Sequence, residues 1–397
     1  MRLLSAAPGR DPREIVRHFT PNWFAANMGT GILALMLAAF PYGDWGQLEI
    51  ARGLWAVNVF FFVLFAALFT GRALFYPRSF AKLFEHPVQS LFIGAIPMGF
   101  ATIINGLLDF WPITPQTLAI AQGLWWVDVL MALISALLIP FFMFTAHEHS
   151  IERMTAAWLL PIVPPEVSAA SGGLLAQHLS PALARPVVYV SYVLWSISVL
   201  LALAVLAILL LRLTLHKLPH RDMAVSTWLP LGPLGTGAFA MLTLGKADVL
   251  AFAGTPLASM ANFGQLAGIL VALVLWGFGL WWMVMAVAFT LRYLREGLPF
   301  NMGWWGFTFP LGVFDAATYG LGEVTDFGPL TVLGAVFTVL LAGFWIVVTQ
   351  RSFVGMWTGA LFRAPCLSEE TGLPAPACSE GTVPPGQRPD LMASLRR

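Results

Sequence analysis

Ten long apolar stretches dominate this chain. A helix that crosses a bilayer needs about 20 mostly apolar residues. Stretches of this kind lie at roughly 22–40, 53–74, 87–108, 117–145, 156–176, 186–211, 224–245, 260–291, 300–320 and 329–350. They lack the strict alternation of barrel strands, which favours helices. The sequence therefore predicts an all-α integral membrane protein with ten transmembrane helices.

Composition agrees with this class and argues against several others. Hydrophobic residues make up 58% of the chain and charged residues 10%, whereas a soluble domain is about a quarter charged. The net charge of +1 gives no indication of a nucleic-acid partner. Cys366 and Cys378 both follow the last span, so a thiolate metal site within the membrane is not expected. Phosphate-loop, dinucleotide and nucleophile motifs are missing, and neither an enzyme nor a cofactor is predicted.

The basic residues predict the orientation. If the N-terminus is cytoplasmic and the spans alternate, 18 of the 21 Lys and Arg residues face the cytoplasm, and only Arg52, Arg185 and Lys246 face the other side. The positive-inside rule supports this arrangement, with both termini in the cytoplasm and the protein in the plasma or inner membrane. The predicted organisation is a cytoplasmic segment 1–21 without a cleavable signal peptide, a membrane domain 22–350, and a largely disordered cytoplasmic tail 351–397.

The odd-numbered spans share an internal repeat. Each carries glycine or proline near its middle, and the markers Met28, Pro97, Pro164, Pro233 and Pro310 are separated by 69, 67, 69 and 77 residues. The even-numbered spans lack this mid-span glycine or proline pattern and are richer in Leu, Val and Phe. A period near 70 residues therefore predicts five helical hairpins, each with one interrupted and one continuous helix. Such symmetry is typical of transport proteins.

Interrupted helices have a physical consequence within a membrane. A proline removes an N–H group and displaces a carbonyl, and lipid cannot satisfy the polar groups this exposes. We therefore expect the five interrupted helices to lie inside, in a quasi-five-fold arrangement around a central pore. Ordinary structural prolines and glycines are the alternative, but recurrence in five spans favours the pore. The predicted kinks are Gly29, Gly31, Pro97, Pro164, Pro233 and Pro310.

Several motifs resemble one known family. They are "MGTGILALMLAAFPYGDW" at 28–45, "IPMGFATIING" at 96–106, "LWWVD" at 124–128, "LPLGPLGTGAFAML" at 229–242 and "GWWGFTFPLG" at 303–312. On these residues the chain resembles the tellurite-resistance and dicarboxylate transporter family over about residues 20–350. That family includes fungal malate permeases, fungal sulfite efflux pumps and the plant guard-cell slow anion channel. Within it, the sequence resembles the sulfite efflux pumps most.

The resemblance implies a fold, an assembly and a gate. It implies ten helices in five hairpins around a pore, usually in a homotrimer. It also implies that a phenylalanine on the ninth helix closes the pore, since a bulky apolar constriction can gate by occlusion and dewetting. The matching residue is Phe309, with Phe307 and Phe314 as alternatives.

Polar residues near the interruptions are the candidates for contact with an anion. Neutral donors suit passage, because a fixed cation can hold an anion too tightly. The alternative is that these side chains bond their own helix or bridge helices. Nine such residues are present, and all except Thr102 and Thr318 are predicted to line the pore: Asn27, Thr30, Thr102, Asn105, Ser168, Ser171, Thr236, Thr308 and Thr318.

Three carboxylates lie within the spans. A charge buried in lipid costs several kcal/mol, so such a group pairs, protonates or faces water. Asp128 is on an even span, which favours a structural hydrogen bond to a neighbouring helix. Glu166 and Asp315 are on interrupted spans, and we predict that one of them couples proton movement to anion movement.

These observations lead to two candidate functions. The first is export of a small inorganic anion, with sulfite or hydrogensulfite ahead of others. The second is proton-coupled transport of a C4-dicarboxylate such as malate. A dicarboxylate carrier is expected to offer a cation at mid-membrane depth, and the sequence places none there. The small anion is therefore the preferred substrate.

Overall fold

The computed structural model describes residues 11–359, 361 and 364–367. In this part of the chain every regular element is a helix. The α-helices are α1 (Pro12–His18), α2 (Phe24–Ala38), α3 (Gln47–Phe75), α4 (Pro77–Glu85), α5 (Ala95–Phe110), α6 (Pro115–Thr145), α7 (Pro164–Ala176), α8 (Pro181–His216), α9 (Leu231–Ala251), α10 (Ala258–Glu296), α11 (Phe309–Thr325) and α12 (Gly328–Trp357).

Short and long helices alternate along the membrane region. The short helices α2, α5, α7, α9 and α11 have 13 to 21 residues, and the long helices α3, α6, α8, α10 and α12 have 29 to 39. We call each short helix and the long helix that follows it a helix pair. Every short helix is preceded by a 3-10 segment: Pro21–Trp23, Ser90–Gly94, Ala156–Leu159, Arg221–Trp228 and Met302–Phe307.

The marker prolines lie at helix starts rather than at bends within helices. Pro97, Pro164, Pro233 and Pro310 each occupy one of the first three positions of α5, α7, α9 and α11. A proline is tolerated there because the first N–H groups of a helix have no intrahelical acceptor. The four predicted proline kinks thus lie where an α-helix begins after a 3-10 segment.

The first span has no such junction at its glycines. Gly29 and Gly31 lie within the helix α2 (Phe24–Ala38), so no change from 3-10 to α-helix occurs at them. A Cβ atom at Gly31 would collide with the side chain of Thr102 on α5, and one at Gly29 would collide with that of Thr308. These glycines therefore allow close helix packing, a common use of small residues in membranes.

Among the described residues, six helices meet the length and composition of a membrane-crossing helix, whereas ten spans were predicted. They are α3, α6, α8, α12, residues 261–296 of α10, and α5 together with the 3-10 segment before it. Helices α2, α7 and α11 are too short, with 15, 13 and 17 residues, because part of each predicted span is 3-10 helix. At 1.5 Å per residue, none of these three α-helices reaches the roughly 30 Å of the hydrocarbon core.

The contacts among the five short helices form a closed ring. Helix α2 contacts α5, α5 contacts α7, α7 contacts α9, α9 contacts α11, and α11 contacts α2. The short helices are almost wholly buried, whereas the long helices expose large apolar side chains such as Phe60 (64% exposed), Leu200 (65%) and Val274 (72%). Exposed apolar side chains of this kind suit a lipid environment.

Five tryptophans join each helix pair to the next. Each long helix carries one whose indole N–H donates to the following short helix, and Trp345 of α12 donates back to α2. The bonds are Trp55 to the Ile103 carbonyl (3.2 Å), Trp125 to the Ser168 carbonyl (2.8 Å), Trp195 to the Gly237 carbonyl (2.9 Å), Trp276 to Thr318 Oγ1 (2.9 Å) and Trp345 to Thr30 Oγ1 (3.0 Å). We call these bonds the tryptophan belt. The tryptophans are separated by 70, 70, 81 and 69 residues, so the long helices share the repeat that was predicted from the short ones alone.

The two ends of the membrane region lie together. Helix α12 continues to Trp357, past the predicted boundary at 350. The Ala364 N–H then donates to His18 Nδ1 at 3.2 Å. Burial lowers the pKa of His18, which favours the neutral ring that this bond requires. Most of the tail predicted to be disordered, from 368 onward, lies outside the described residues.

Candidate functional site

A cavity of about 370 Å³ lies between the five short helices and is lined by all of them. Each lining residue lies on one of these helices or at the C-terminal cap of α2 or α7. The lining consists of Ile32, Leu35, Met36, Ala39, Ala101, Thr102, Asn105, Asp109, Val167, Ala170, Leu174, Gln177, Thr236, Phe239, Leu242, Thr243, Lys246, Phe309, Val313, Ala316, Tyr319, Gly320 and Glu323.

Helical periodicity places these side chains on one face of each helix. In α9, for example, Thr236, Phe239, Thr243 and Lys246 are three or four residues apart, the spacing that aligns side chains on a helix. Most of the wall is apolar. The charged lining residues all lie towards the C-terminal ends of their helices, and we call this part of the cavity the charged end.

Phe309 lies at the other end of the cavity. It is the first residue of α11 and is 3% exposed. Glu323, at the charged end, is 14 residues further along the same helix, which corresponds to roughly 20 Å. Phe307 instead stacks on Phe344 with 4.9 Å between ring centroids, and Phe314 stacks on Trp276 at 5.9 Å. Of the three candidate gate residues, only Phe309 lines the cavity.

Two of the seven predicted pore-lining residues face the cavity. They are Asn105 and Thr236, and Thr102 joins them. Asn105 Oδ1 and Thr236 Oγ1 are buried without a hydrogen-bond partner in the described part of the chain. Thr102 Oγ1 is already engaged, because it accepts from Asn58 Nδ2 at 3.0 Å and donates to the Gly99 carbonyl at 2.7 Å. Asn105 and Thr236 thus bring unpartnered polar atoms to the cavity wall, which also contains the neutral polar residues Gln177, Thr243 and Tyr319.

The other five predicted pore-lining residues do not line the cavity. Asn27 donates to Asn58 of α3, Thr30 accepts from Trp345 of α12, and Ser168 donates to Asp128 of α6. Thr308 donates to the Trp305 carbonyl at 2.7 Å, and Ser171 is fully buried. The helix-bridging alternative therefore holds for Asn27, Thr30 and Ser168, whereas Thr308 bonds its own segment and Ser171 Oγ has no hydrogen-bond partner among the described residues.

The intramembrane carboxylates also lie behind the cavity wall. Asp128 accepts a 2.6 Å hydrogen bond from Ser168, which confirms the predicted bond to a neighbouring helix. Asp315 accepts from Thr338 of α12 at 2.7 Å. Glu166 is fully buried, and neither of its carboxyl oxygens has a hydrogen-bond partner among the described residues. Its neighbour Val167 lines the cavity, but Glu166 and Asp315 do not.

The sequence analysis missed an ion pair at the charged end. Lys246 Nζ lies 2.7 Å from Glu323 Oε1, so the pair joins α9 to α11. Lys246 was placed outside the span predicted at 224–245, whereas α9 continues to Ala251. The spacing of the sequence could have revealed that Lys246 faces the cavity, because it follows Thr236, Phe239 and Thr243 on the same face of a helix.

The chain is similar to several known proteins over most of its length. The profile of the family described as voltage-dependent anion channel matches residues 18–353. Sulfite efflux pump SSU1 of Arthroderma otae is 40% identical over 365 residues, covering 89% of this chain and 95% of the relative. Sulfite efflux pump SSU1 of Trichophyton rubrum is 39% identical over the same length and coverage. The malic acid transport protein of Schizosaccharomyces pombe is 24% identical over 341 residues, covering 84% and 77%. The family match extends over all five helix pairs, and the chain belongs to the voltage-dependent anion channel family.

Proposed function

We propose that this protein exports small anions, with sulfite or hydrogensulfite as the preferred substrate, through a central pore. The observation that carries the proposal is the cavity bounded by all five short helices and by none of the long ones. In this proposal each helix pair crosses the membrane twice, with the short helix and its 3-10 segment forming one crossing. The five pairs surround the pore in a quasi-five-fold arrangement.

The lining suits weak and transient contact with an anion. An anion that leaves water must exchange part of its hydration shell for donors in the protein. The Thr236 hydroxyl and the Asn105 amide can donate from the wall, and neutral donors bind an anion less tightly than a buried cation does. Phe309 closes the end away from Lys246 and Glu323. In our proposal the pathway conducts when the Phe309 ring moves aside.

Flux measurements with purified protein in liposomes test the substrate. Sulfite, malate, chloride and nitrate would be compared, each with and without a pH gradient. We expect sulfite flux to exceed malate flux at least about tenfold, because hydrogensulfite, the protonated form of sulfite, is small and singly charged, whereas malate is larger and doubly charged and meets no cation in the wall beyond the charged end. The similarity to sulfite efflux pumps also supports this order. Malate uptake without sulfite movement would reverse the ranking and favour proton-coupled dicarboxylate transport.

We further propose a homotrimer in the plasma or inner membrane, with both termini in the cytoplasm. The bond between Ala364 and His18 supports the shared location of the termini, since it joins the two ends of the membrane region. An even number of membrane crossings also places both termini on the same side of the membrane. The apolar outer faces of the long helices offer surface to lipid and to neighbouring subunits.

Proton coupling through Glu166 or Asp315 is tested by an Asp315→Asn variant. Asparagine retains an oxygen that can accept from Thr338 but cannot exchange a proton. If Asp315 couples the two movements, the ratio of sulfite flux with and without a pH gradient falls to about one. Asp128→Asn is the matched control, because Asp128 accepts a comparable buried hydrogen bond from Ser168. An Asp315→Asn protein that keeps the wild-type pH dependence would leave Glu166 as the candidate.

A further inference from the structure

The charged end of the cavity has an unusual balance of charge. The short helices direct their C-terminal ends towards it, and each helix C-terminus carries a partial negative charge. Asp109 and Glu323 add two carboxylates, and Lys246 is the one Lys or Arg among the cavity-lining residues. Without Lys246, this end would repel an anion. Binding of an anion at the charged end therefore depends on the ammonium group of Lys246.

The partner of Lys246 is free to leave it. The Glu323 side chain is 70% exposed, whereas that of Lys246 is 31% exposed and forms part of the cavity wall. Ion pairs with an exposed partner contribute only about 0–1 kcal/mol, because water solvates the separated charges almost as well. A small anion at this end can therefore replace the Glu323 carboxylate beside Lys246 at little cost.

We propose that Lys246 is a binding site for the transported anion at the charged end and that Glu323 is its tethered competitor. The anion binds the Lys246 ammonium group when the Glu323 carboxylate moves away. When the carboxylate returns, it displaces the anion. This exchange gives the pathway a cationic site that does not trap its substrate. The inference rests on the proposed function and assigns it a specific residue pair. The chemical class of the ligand is a small oxyanion such as sulfite.

Three substitutions separate the two roles. Lys246→Gln removes the cation, Lys246→Arg preserves it, and Glu323→Gln removes the competitor. The matched control is Arg52→Gln, which breaks the Arg52–Glu49 ion pair (2.9 Å) on α3, on the same predicted side of the membrane but outside the cavity. Sulfite flux into liposomes would be measured against the sulfite concentration supplied at the charged end.

The expected changes have opposite signs. Lys246→Gln raises the half-saturating sulfite concentration about fivefold, the change expected when one weak ion pair with the anion is lost. Glu323→Gln lowers it by a similar factor and also lowers the maximal rate, because release then has no competitor. Lys246→Arg keeps the positive charge and therefore raises the half-saturating sulfite concentration less than Lys246→Gln does, whereas Arg52→Gln stays close to the wild type.

Each outcome has a distinct meaning. Wild-type flux together with unchanged half-saturation in both Lys246→Gln and Glu323→Gln overturns the inference and leaves the proposed function standing. An equal response to Arg52→Gln also overturns it, since general surface charge would then be the cause. If Lys246→Gln does not fold, Glu323→Gln still decides, because its side chain is largely exposed. A wild-type protein that carries none of the four anions overturns the proposed function and this inference together.

Discussion

Replacing Phe309 with alanine raises passive anion flux by about tenfold or more. The Phe309 ring is the bulky apolar group at the end of the cavity opposite Lys246, and it is 3% exposed. Alanine removes the ring and leaves space for water, so that the barrier from occlusion and dewetting falls. The measurement is sulfite and chloride flux into liposomes, or conductance in planar bilayers, for equal amounts of reconstituted protein.

Phe307→Ala and Phe314→Ala are the controls for this result. Both rings are 4% exposed or less, and they pack against other aromatic rings away from the cavity. Their loss leaves a packing defect, and large-to-small substitutions of phenylalanine typically cost about 3–5 kcal/mol of stability. We expect them to lower the melting temperature without raising flux. Unchanged flux in Phe309→Ala, with increased flux in either control, would move the gate to that residue.

Gly235→Ala lowers stability by about 2–3 kcal/mol, a large effect for one methyl group. Helices α9 and α11 pack closely here, and a Cβ atom at Gly235 would lie 2.6 Å from both the Cα and the backbone N of Phe314. Backbone cannot move aside as a flexible side chain can. The substitution therefore forces α11 away from α9 and disturbs the cavity wall. Thermal unfolding in detergent measures the change.

Gly232→Ala is the matched control on the same helix. Nothing lies within 4 Å of a Cβ atom at Gly232, so only the helix propensity changes there. Alanine is favoured over glycine in a helix by up to about 1 kcal/mol. We expect Gly232→Ala to melt at or above the wild-type temperature. Equal melting temperatures for the two variants would show that the helices separate at Gly235 without cost.

The sequence predicted those features of the fold that depend on hydrophobicity and on the internal repeat. Apolar length located the long helices, and the proline period located the starts of four short helices, because proline suits the first turn. The pattern could not distinguish a bend within a helix from a 3-10 segment followed by a helix. The pattern is ambiguous at Gly29 and Gly31 for a related reason, since close packing and backbone interruption both select small residues.

The candidate site was predicted less completely, because every face of a short helix meets protein or the cavity. Asn105 and Thr236 line the cavity, whereas Asn27 and Ser168 bond to long helices, and composition alone does not separate these pairs. Lys246 was assigned to the outside because hydropathy falls before α9 ends. The proposed roles of Phe309, Glu166 and Asp315 remain predictions that depend on flux measurements.

The tryptophan belt makes the order of the helix pairs along the chain largely arbitrary. Its fifth bond, from Trp345 to Thr30, joins the last pair to the first in the same way as the other four join consecutive pairs. Ala364 and His18 already meet at 3.2 Å, so a short linker there could replace any one of the present connections between pairs. The present chain and four circular permutants of this membrane domain therefore share one set of interhelical contacts and differ only in where the polypeptide is cut.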